Sequence, residues 1–296
     1  MRVVVAGASG LIGSALLPVL EQQGREVVRL VRRAPGAGEV RWDPANGHLD
    51  PRELEGVEAG ICLSGAGVGD KRWNDSYKRQ ILASRVDTTG LLARTLGALT
   101  PRPRVLLAGS AIGYYGERGE EPLTESSSAG TGFLSDVVQR WEASADPARE
   151  AGLRVVHLRT GIVQGRGGGA YDRQELLFKL GLGGPLGTGR QWQSWITLDD
   201  EVRAIAFLLE ADVAGPVNVV APQPVRQKDL AKALGRALHR PALLPVPKLA
   251  LRAVLGEFAS DVLGSQRVLP GALTDAGFTW NAPDIDTAYR QVTARD

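Results

Sequence analysis

Three glycines, Gly7, Gly10 and Gly13, follow an apolar run at residues 2–6 in the stretch VVVAGASGLIGSAL. The first allows a tight turn from strand to helix, the second lets the backbone approach an anion, and the third lets the helix pack closely. Amide groups at the start of such a helix point at the anion. The spacing therefore predicts a site for a dinucleotide pyrophosphate, the alternative being a glycine-bearing turn in any α/β protein.

Two arginines, Arg32 and Arg33, stand where the chain leaves the apolar run at residues 26–31. Folds that bind NAD(H) usually place a carboxylate here, which accepts hydrogen bonds from the ribose 2′-hydroxyl. A guanidinium instead pairs with a 2′-phosphate through charge-assisted hydrogen bonds. The sequence thus favours NADP(H) as the cofactor, the alternative being a solvated basic turn.

Apolar, β-branched runs alternate with amphipathic stretches of helical length over the first 160 residues. The runs cover 2–6, 26–31, 39–43, 57–64, 104–109 and 154–158, and the helical stretches cover 11–23, 75–98 and 131–151. Such alternation is typical of βαβ units, in which helices cover both faces of a parallel sheet. We therefore predict an α/β fold with a Rossmann-type doubly wound parallel sheet.

The amino-acid composition changes after residue 160, where the stretches 164–170 and 181–190 are rich in glycine. We predict an NADP(H)-binding Rossmann domain over residues 1–163 and a smaller substrate-binding domain over residues 164–296. The strand-like run GPVNVVA suggests that residues 190–221 return to the first domain.

Charge and composition exclude several classes of partner. The 35 basic and 33 acidic side chains give a formal net charge of +2 and are interspersed, so we expect neither nucleic acid nor a membrane as partner. One cysteine and three histidines leave no disulfide framework and argue against a metal site. Without an apolar span or a leader peptide, we expect a cytoplasmic protein with a small-molecule substrate. The oligomeric state is left open, a homodimer being one option.

Six motifs along nearly the whole chain resemble one family. They are AGASGLIG, LSGAGVGDKRWNDSYKRQILASRVDTTGLLA, GSAIGYYG, RTGIVQGRGGGA, LGLGGPLGTGRQWQSWITLDD and LHRPALLPVP. Together they are similar to the epimerase-family proteins of the atypical, extended short-chain dehydrogenase/reductases, which carry a C-terminal domain of unknown function. The resemblance implies an NADP(H)-binding fold with the nicotinamide cleft between two domains, and oxidoreductase or epimerase activity.

By position, the resemblance also implies which residues bind the cofactor. The glycine loop would hold the pyrophosphate, and the arginine after the second strand would hold the 2′-phosphate. The residues after the fourth strand would line the adenine and ribose. Three further side chains would close over the cofactor. These residues are Gly7, Gly10, Leu11, Ile12, Gly13, Arg32, Arg33, Cys62, Leu63, Ser64, Gly65, Arg79, Ser84 and Arg159. For Cys62, an inert core thiol is the alternative.

The catalytic residues expected from the resemblance are only partly present. Relatives use a serine after the fifth strand and a Tyr-x-x-x-Lys pair on the next helix, where the lysine lowers the phenol pKa. Ser110 fits the serine. Phe133 or Leu134 stands at the tyrosine position, however, and Val137 or Val138 at the lysine position.

The nearest phenols are Tyr114 and Tyr115, in a loop that carries a tyrosine at the substrate in extended members. This loop is one residue longer than the common SxxxYG spacing, so either tyrosine is a candidate, and packing is the alternative for both. We expect Ser110 and one of the two to handle the proton, and the nicotinamide to supply the hydride chemistry. The competing hypothesis is a sensor that binds NADP(H) without turnover.

Four residues between the predicted domains combine a cation, an amide and two aromatic rings. This mixture suits a phosphorylated or ring-shaped substrate, although the second tryptophan could equally belong to the core. The predicted substrate-binding residues are Arg190, Gln191, Trp192 and Trp195.

Overall fold

The computed structural model describes residues 1–294. Its strands are β1 (Arg2–Ala6), β2 (Glu26–Val31), β3 (Glu39–Arg41), β4 (Ala59–Cys62), β5 (Val105–Ala111), β6 (Pro122–Leu123), β7 (Arg154–Thr160), β8 (Ile162–Gln164), β9 (Trp192–Gln193), β10 (Trp195–Thr197), β11 (Gly215–Val219), β12 (Val225–Arg226) and β13 (Arg267–Val268). Its α-helices are α1 (Leu11–Gln22), α2 (Asp75–Ala98), α3 (Phe133–Ala143), α4 (Asp146–Glu150), α5 (Gly169–Lys179), α6 (Leu198–Glu210), α7 (Gln227–Ala237), α8 (Lys248–Leu255), α9 (Ala259–Val262), α10 (Gly271–Asp275) and α11 (Ile285–Thr293).

A seven-stranded sheet forms the centre of the described chain, in the order β11-β7-β5-β4-β1-β2-β3. All neighbours pair in parallel. The strand order reverses between β1 and β4, and in such sheets ligands bind in the crevice beyond the carboxyl ends at that point. The predicted Rossmann-type sheet is confirmed, and the run containing β11 pairs with β7 at its edge.

Helices cover both faces of this sheet. α1 and α6 pack on one face, with Leu16, Leu20 and Ile205 in the core. α2 and α4 pack on the other, with Leu92 and Leu96. Because both faces are buried, the central strands β1, β4 and β5 are apolar at nearly every position.

The predicted helix over residues 131–151 is wrong in one respect, because the structure has two helices there, α3 and α4. Pro147 lies in the first turn of α4. Its ring would clash with the carbonyl four residues earlier if α3 continued, whereas proline is well tolerated at a helix start. Helix α3 therefore ends at Ala143, and a new helix, α4, begins at Asp146.

A second, smaller core forms among the C-terminal helices. Phe178 of α5, Leu234 of α7 and Tyr289 of α11 meet Trp195 in it. The predicted domain boundary at residue 163 falls within β8 and stays a prediction.

Two neighbouring acidic side chains of α6 are completely buried, Asp200, which is paired with Arg203, and Glu201. Thr160 donates to Glu201 Oε1 at 2.8 Å, and Glu201 Oε2 has no hydrogen-bond partner among the described residues. Burial raises the pKa of this carboxyl to about 8. Glu201 is therefore neutral in the folded protein up to about that pH.

We predict that Glu201 makes folding stability fall as pH rises. The pKa in the folded chain exceeds the ordinary value of 4.5, so its contribution is complete below about pH 4.5 and is lost as pH rises toward 8. The expected slope is at most about 1.4 kcal/mol per pH unit. Urea unfolding between pH 5 and 8 should show this slope in the wild type and not in Glu201→Gln.

Glu210→Gln is the matched control, since Glu210 is half-exposed at the other end of α6. It should leave the slope unchanged. Parallel pH curves for the wild type and Glu201→Gln would contradict the prediction.

Candidate functional site

The glycine loop joins β1 to α1 at the centre of the sheet. Gly7 has φ +84°, and a Cβ added there would lie 2.7 Å from the carbonyl carbon of Leu63. A Cβ added at Gly13 would overlap the carbonyl oxygen of Gly7. At Gly10, by contrast, the nearest atom would be 3.4 Å away. Packing of the protein therefore requires Gly7 and Gly13, while the space beside Gly10 stays open.

The start of α1 has the properties of an anion site. Gly10 caps the helix without any side-chain hydrogen bond, so no side chain occupies the first-turn amides. Leu11 and Ile12 of that turn are half-buried. A second glycine-rich segment lies against this turn, since a Cβ added at Gly169 would be 3.3 Å from Leu11 Cδ2. The loop before α5 thus borders the same crevice.

The two arginines after β2 have different surroundings. Both Nη atoms of Arg33 bond the carboxylate of Glu39 at 2.7 Å. Arg32 is exposed and has no hydrogen bond or ion pair within residues 1–294. Because β2 lies beside β1 in the sheet, Arg32 follows the strand next to the glycine loop. Of the two guanidiniums, Arg32 is the one that is free to bind a phosphate.

For the Cys62 side chain the structure favours the alternative of a core thiol, while a role of its backbone at the cofactor stays a prediction. Cys62 is fully buried, Thr89 donates to its Sγ at 3.4 Å, and burial raises the pKa of the thiol. This side chain belongs to the core because it points between the sheet and α2. The next three residues, Leu63, Ser64 and Gly65, have partial or full solvent exposure at the crevice.

The predicted residues Ser84 and Arg79 both lie on α2 but differ in their contacts. Ser84 accepts a hydrogen bond from the Ala66 amide at 2.9 Å, so it holds the loop after β4. Arg85, which sequence reasoning missed although it directly follows Ser84, donates to the Ala66 carbonyl at 3.0 Å, and burial lowers its pKa to about 10. Arg79 is exposed, without a bonded partner in the part of the chain that is described. Ser84 thus acts on the loop.

A buried ion pair joins α3 to the sheet near the carboxyl ends of β5 and β7. Arg159 donates to Glu142 from Nε at 2.8 Å and from Nη2 at 2.9 Å. Ser110 Oγ donates to the same carboxylate at 2.6 Å. Burial opposes ionisation of Glu142, but the hydrogen bonds and charge of Arg159 outweigh it and lower the pKa of the carboxyl. Arg159, predicted at the cofactor, is instead held by Glu142.

Tyr115 extends this network to β11. Its hydroxyl donates to Asn218 Oδ1 at 2.6 Å and accepts from Arg159 Nη1 at 3.0 Å. The ring is completely buried, and burial raises the pKa of the phenol despite the nearby guanidinium. Tyr115 and Ser110 are therefore both engaged in internal hydrogen bonds in this structure.

Tyr114 is the phenol with access to solvent. It lies in a 3₁₀ turn over Ile112–Tyr115 and is half-buried. The guanidinium carbon of Arg159 is 3.5 Å from its ring centre, and Tyr115 packs edge-on at 5.3 Å. The Tyr114 hydroxyl bonds no residue among 1–294. This arrangement fixes the ring and leaves its hydroxyl free to bind a ligand.

The four predicted substrate residues do not form one site. Trp195 is completely buried, with its indole N–H bonded to the Gln223 carbonyl, so the alternative of a core residue is correct for it. Gln191 is buried and donates to the Leu186 carbonyl. Only Trp192, half-exposed, and Arg190, exposed, keep accessible side chains.

Trp192 lies in a charged cluster of its own. Arg226 stacks over its ring at 4.1 Å, and Arg267 lies 4.8 Å from it. Its indole N–H and the guanidinium of Arg226 both bond Glu120. Because Glu120 binds both Arg226 and Trp192, the cluster holds β9 and β12 to the loop before β6.

An aromatic cluster that sequence reasoning missed closes one side of the crevice. Trp73 packs against Phe133 at 4.9 Å and against Phe258 at 5.4 Å. Lys78 lies over the Phe133 ring and bonds Glu257. The cluster brings the KRW stretch, the start of α3 and the C-terminal part of the chain together. Its members are far apart in sequence, so no spacing revealed it.

Residues 1–294 contain neither a metal-binding group of side chains nor a membrane-spanning helix. No group of three or more His, Cys, Asp or Glu side chains is placed to hold a metal ion. No helix there is both long and apolar enough to cross a bilayer.

Comparison with known proteins decides the family. The model of the NAD dependent epimerase/dehydratase family matches residues 3–221, and a domain of unknown function, DUF1731, matches residues 246–292. The chain belongs to the NAD dependent epimerase/dehydratase family. It is 42% identical to the epimerase family protein Mb2239 of Mycobacterium bovis, covering 99% of this chain and 98% of that protein. It is 34% identical to the epimerase family protein YfhF of Bacillus subtilis, with 99% and 98% covered.

Solved structures agree with this family assignment. The crystal structure of human epimerase family protein SDR39U1 with NADPH matches with a TM-score of 0.91 and 33% identity, over all of both chains. MoeE5 in complex with UDP-glucose and NAD matches with a TM-score of 0.77 at 21% identity, which shows a common fold. The resemblance noted from the motifs is confirmed.

Within this family, α3 of the present chain lacks the usual acid/base pair. A Cβ added at Gly113 would lie 3.6 Å from Leu134 Cβ and 3.8 Å from a Val138 methyl. Two aliphatic side chains therefore face the 3₁₀ turn from the positions expected for the tyrosine and the lysine. Tyr114, in the turn itself, is the phenol left at this point.

We predict that the ion pair on α3 is a main support of this edge of the sheet. Arg159→Met would leave Glu142 buried without its cation, and the free energy of unfolding should fall by about 3–5 kcal/mol. Arg149→Met is the matched control, because Arg149 and Asp146 form an exposed pair whose loss should cost less than about 1 kcal/mol. Urea unfolding at neutral pH measures both, and equal losses would refute the prediction.

Proposed function

We propose that this chain is an NADP(H)-dependent oxidoreductase or epimerase acting on a small polar carbonyl or hydroxyl compound. The observation that carries the proposal is the open space beside Gly10 at the uncapped start of α1, in the crevice where the strand order reverses. A pyrophosphate fits there because backbone amides can bond it and no side chain intrudes.

The preference for NADP(H) is supported by Arg32. Its guanidinium is exposed and unbonded in the described chain, next to the strand that carries the glycine loop. Glu39, the nearest acidic candidate for a ribose hydroxyl, is bonded to Arg33 through both oxygens. The presence of NADPH in the human SDR39U1 structure supports the same cofactor.

We predict that Arg32→Ala weakens NADPH binding by about tenfold or more and leaves NADH binding unchanged. Loss of a charge-assisted phosphate contact costs about 1.5–3 kcal/mol, and only NADPH carries that phosphate. Fluorescence titration of both nucleotides gives the two affinities. Arg33→Ala is the matched control and should have a smaller effect, since Arg33 already pairs with Glu39. An equal loss for NADPH and NADH in Arg32→Ala would overturn the assignment.

The proton chemistry falls to Tyr114. When bound, the nicotinamide supplies or accepts a hydride at the substrate carbon. The Tyr114 hydroxyl, free of internal bonds, donates a proton to the substrate oxygen or accepts one from it. Arg159 fixes the ring of Tyr114 from one side, and Glu142 fixes Arg159.

The direction favoured by this arrangement is carbonyl reduction. Carbonyl reduction needs a proton donor beside the substrate oxygen, and the Tyr114 hydroxyl bonds no residue among 1–294, so its proton is available. In the usual acid/base pair a lysine ammonium helps the phenol act as a base. Leu134 and Val138 provide no such ammonium.

A second candidate function is a sensor that binds NADP(H) without turnover. It is favoured by one observation: Ser110 and Tyr115, two of the three predicted catalytic residues, are committed to the internal network. Under this hypothesis Tyr114 would be a packing residue only.

We predict that Tyr114→Phe lowers turnover by about a hundredfold to ten-thousandfold with little change in NADPH affinity. NADPH oxidation against a panel of carbonyl compounds and nucleotide sugars measures turnover. Tyr115→Phe is the informative comparison, because it leaves Asn218 and Arg159 each short of a buried partner and should lower stability. Full activity in Tyr114→Phe would refute the catalytic role. Binding of NADPH without turnover of any compound would favour the sensor.

A further inference from the structure

The strongly exposed large apolar side chains of residues 1–294 are confined to two segments of the C-terminal part. We name them the leucine face; its members are Leu176, Leu177, Leu180, Leu182, Leu243, Leu244, Leu249 and Val254. Single exposed apolar residues are common on protein surfaces, whereas a concentration of this kind marks an interaction site.

The two segments lie side by side in space. Leu186 and Val246 form a parallel β-bridge, which joins the chain after α5 to the chain before α8. Gly184 packs so closely on Leu244 that an added Cβ would overlap the Leu244 carbonyl. α8 itself has no buried residue, so this short amphipathic helix packs one side loosely and presents the other to solvent. The leucine face is therefore one surface.

Positive charge surrounds this surface. Residues 176–182 and 239–254 contain four permanent cations, Lys179, Arg240, Lys248 and Arg252, and no carboxylate. Lys179 is paired with Glu175 one turn earlier on α5, and the other three have no ion pair among the described residues. Leu243 also borders a shallow depression of about 560 Å³. Basic side chains line it without any acidic residue, namely Lys232, Arg236, His239 and Arg240. Arg236 is paired with Asp286, while the other three have no ion pair among the described residues.

We infer that the leucine face docks on a bilayer that contains anionic phospholipid. Cations placed directly beside aliphatic side chains match a surface whose negative headgroups lie directly above its acyl chains. Leu249 and Val254 are 78% and 70% exposed, so they protrude far enough to enter the headgroup region. Lys248 and Arg252 of the same helix can keep their charges at the headgroups while their stems lie along the apolar layer.

A protein partner fits these observations less well. The leucine face contains no aromatic side chain, and the central anchors of protein interfaces are mostly Trp, Tyr and Arg. The inference departs from the prediction of no membrane partner, which was based on charge averaged over the whole chain. Averaging concealed a local excess of cations, because Arg240, Lys248 and Arg252 have no paired carboxylate among the described residues.

The test is co-sedimentation of the purified full-length chain with vesicles of phosphatidylcholine, with and without phosphatidylglycerol. We expect binding to the anionic vesicles only, and less binding at high salt. Lys248→Gln with Arg252→Gln should lower the partition coefficient about tenfold or more. Leu249→Gln with Val254→Gln should abolish binding.

Arg94→Gln with Arg102→Gln is the matched control, because both arginines are exposed and distant from the leucine face. It should bind as the wild type does. Circular dichroism and NADPH affinity check that every variant is folded. Equal sedimentation with both kinds of vesicle, none with either, or full binding by the leucine-face variants would overturn the inference. The wild type could instead bind no vesicles but self-associate, and Leu249→Gln with Val254→Gln could remove that self-association. This result would assign the leucine face to contact with a second copy of the chain.

Discussion

The buried ion pair between Glu142 and Arg159 determines what the carboxyl edge of the sheet can do. It ties α3 to β7, and through Ser110 and Tyr115 it also ties in β5 and β11. A buried pair of this kind is stable only when the remaining polar atoms around it are bonded. Ser110 and Tyr115 meet that requirement, so the protons of both hydroxyls are used within the network.

This network also decides which of the two adjacent tyrosines, Tyr114 or Tyr115, has a hydroxyl that can reach a ligand. The 3₁₀ turn directs Tyr115 inward to Asn218 and leaves Tyr114 half-exposed against Arg159. The same guanidinium therefore holds one tyrosine by a hydrogen bond and the other by stacking. In this chain, the group that organises the carboxyl ends of these strands is an arginine on β7.

Features that depend on local pattern could be predicted from the sequence, and features that depend on distant partners could not. The strands and the glycine loop were predictable because apolar runs and glycine spacing are local signals. For Cys62 and Trp195 the sequence left a core position as one of two alternatives, since burial depends on which elements pack against them. Glu142 was missed because its partners lie 17 and 32 residues away along the chain. Trp73 was missed because it meets Phe258 only after the chain has folded.

The two ends of the crevice differ in how firmly the fold fixes them. At the glycine loop, backbone atoms are so close that Gly7 and Gly13 admit no side chain, so the cofactor side is determined by main-chain packing. At the opposite side, Phe258 and Glu257 reach Trp73 and Lys78 from a segment that directly follows the exposed helix α8. The leucine face is therefore continuous along the chain with both sides of the crevice. It leads through α8 to the aromatic cluster, and through α5, whose first residue Gly169 packs on Leu11, to the glycine loop.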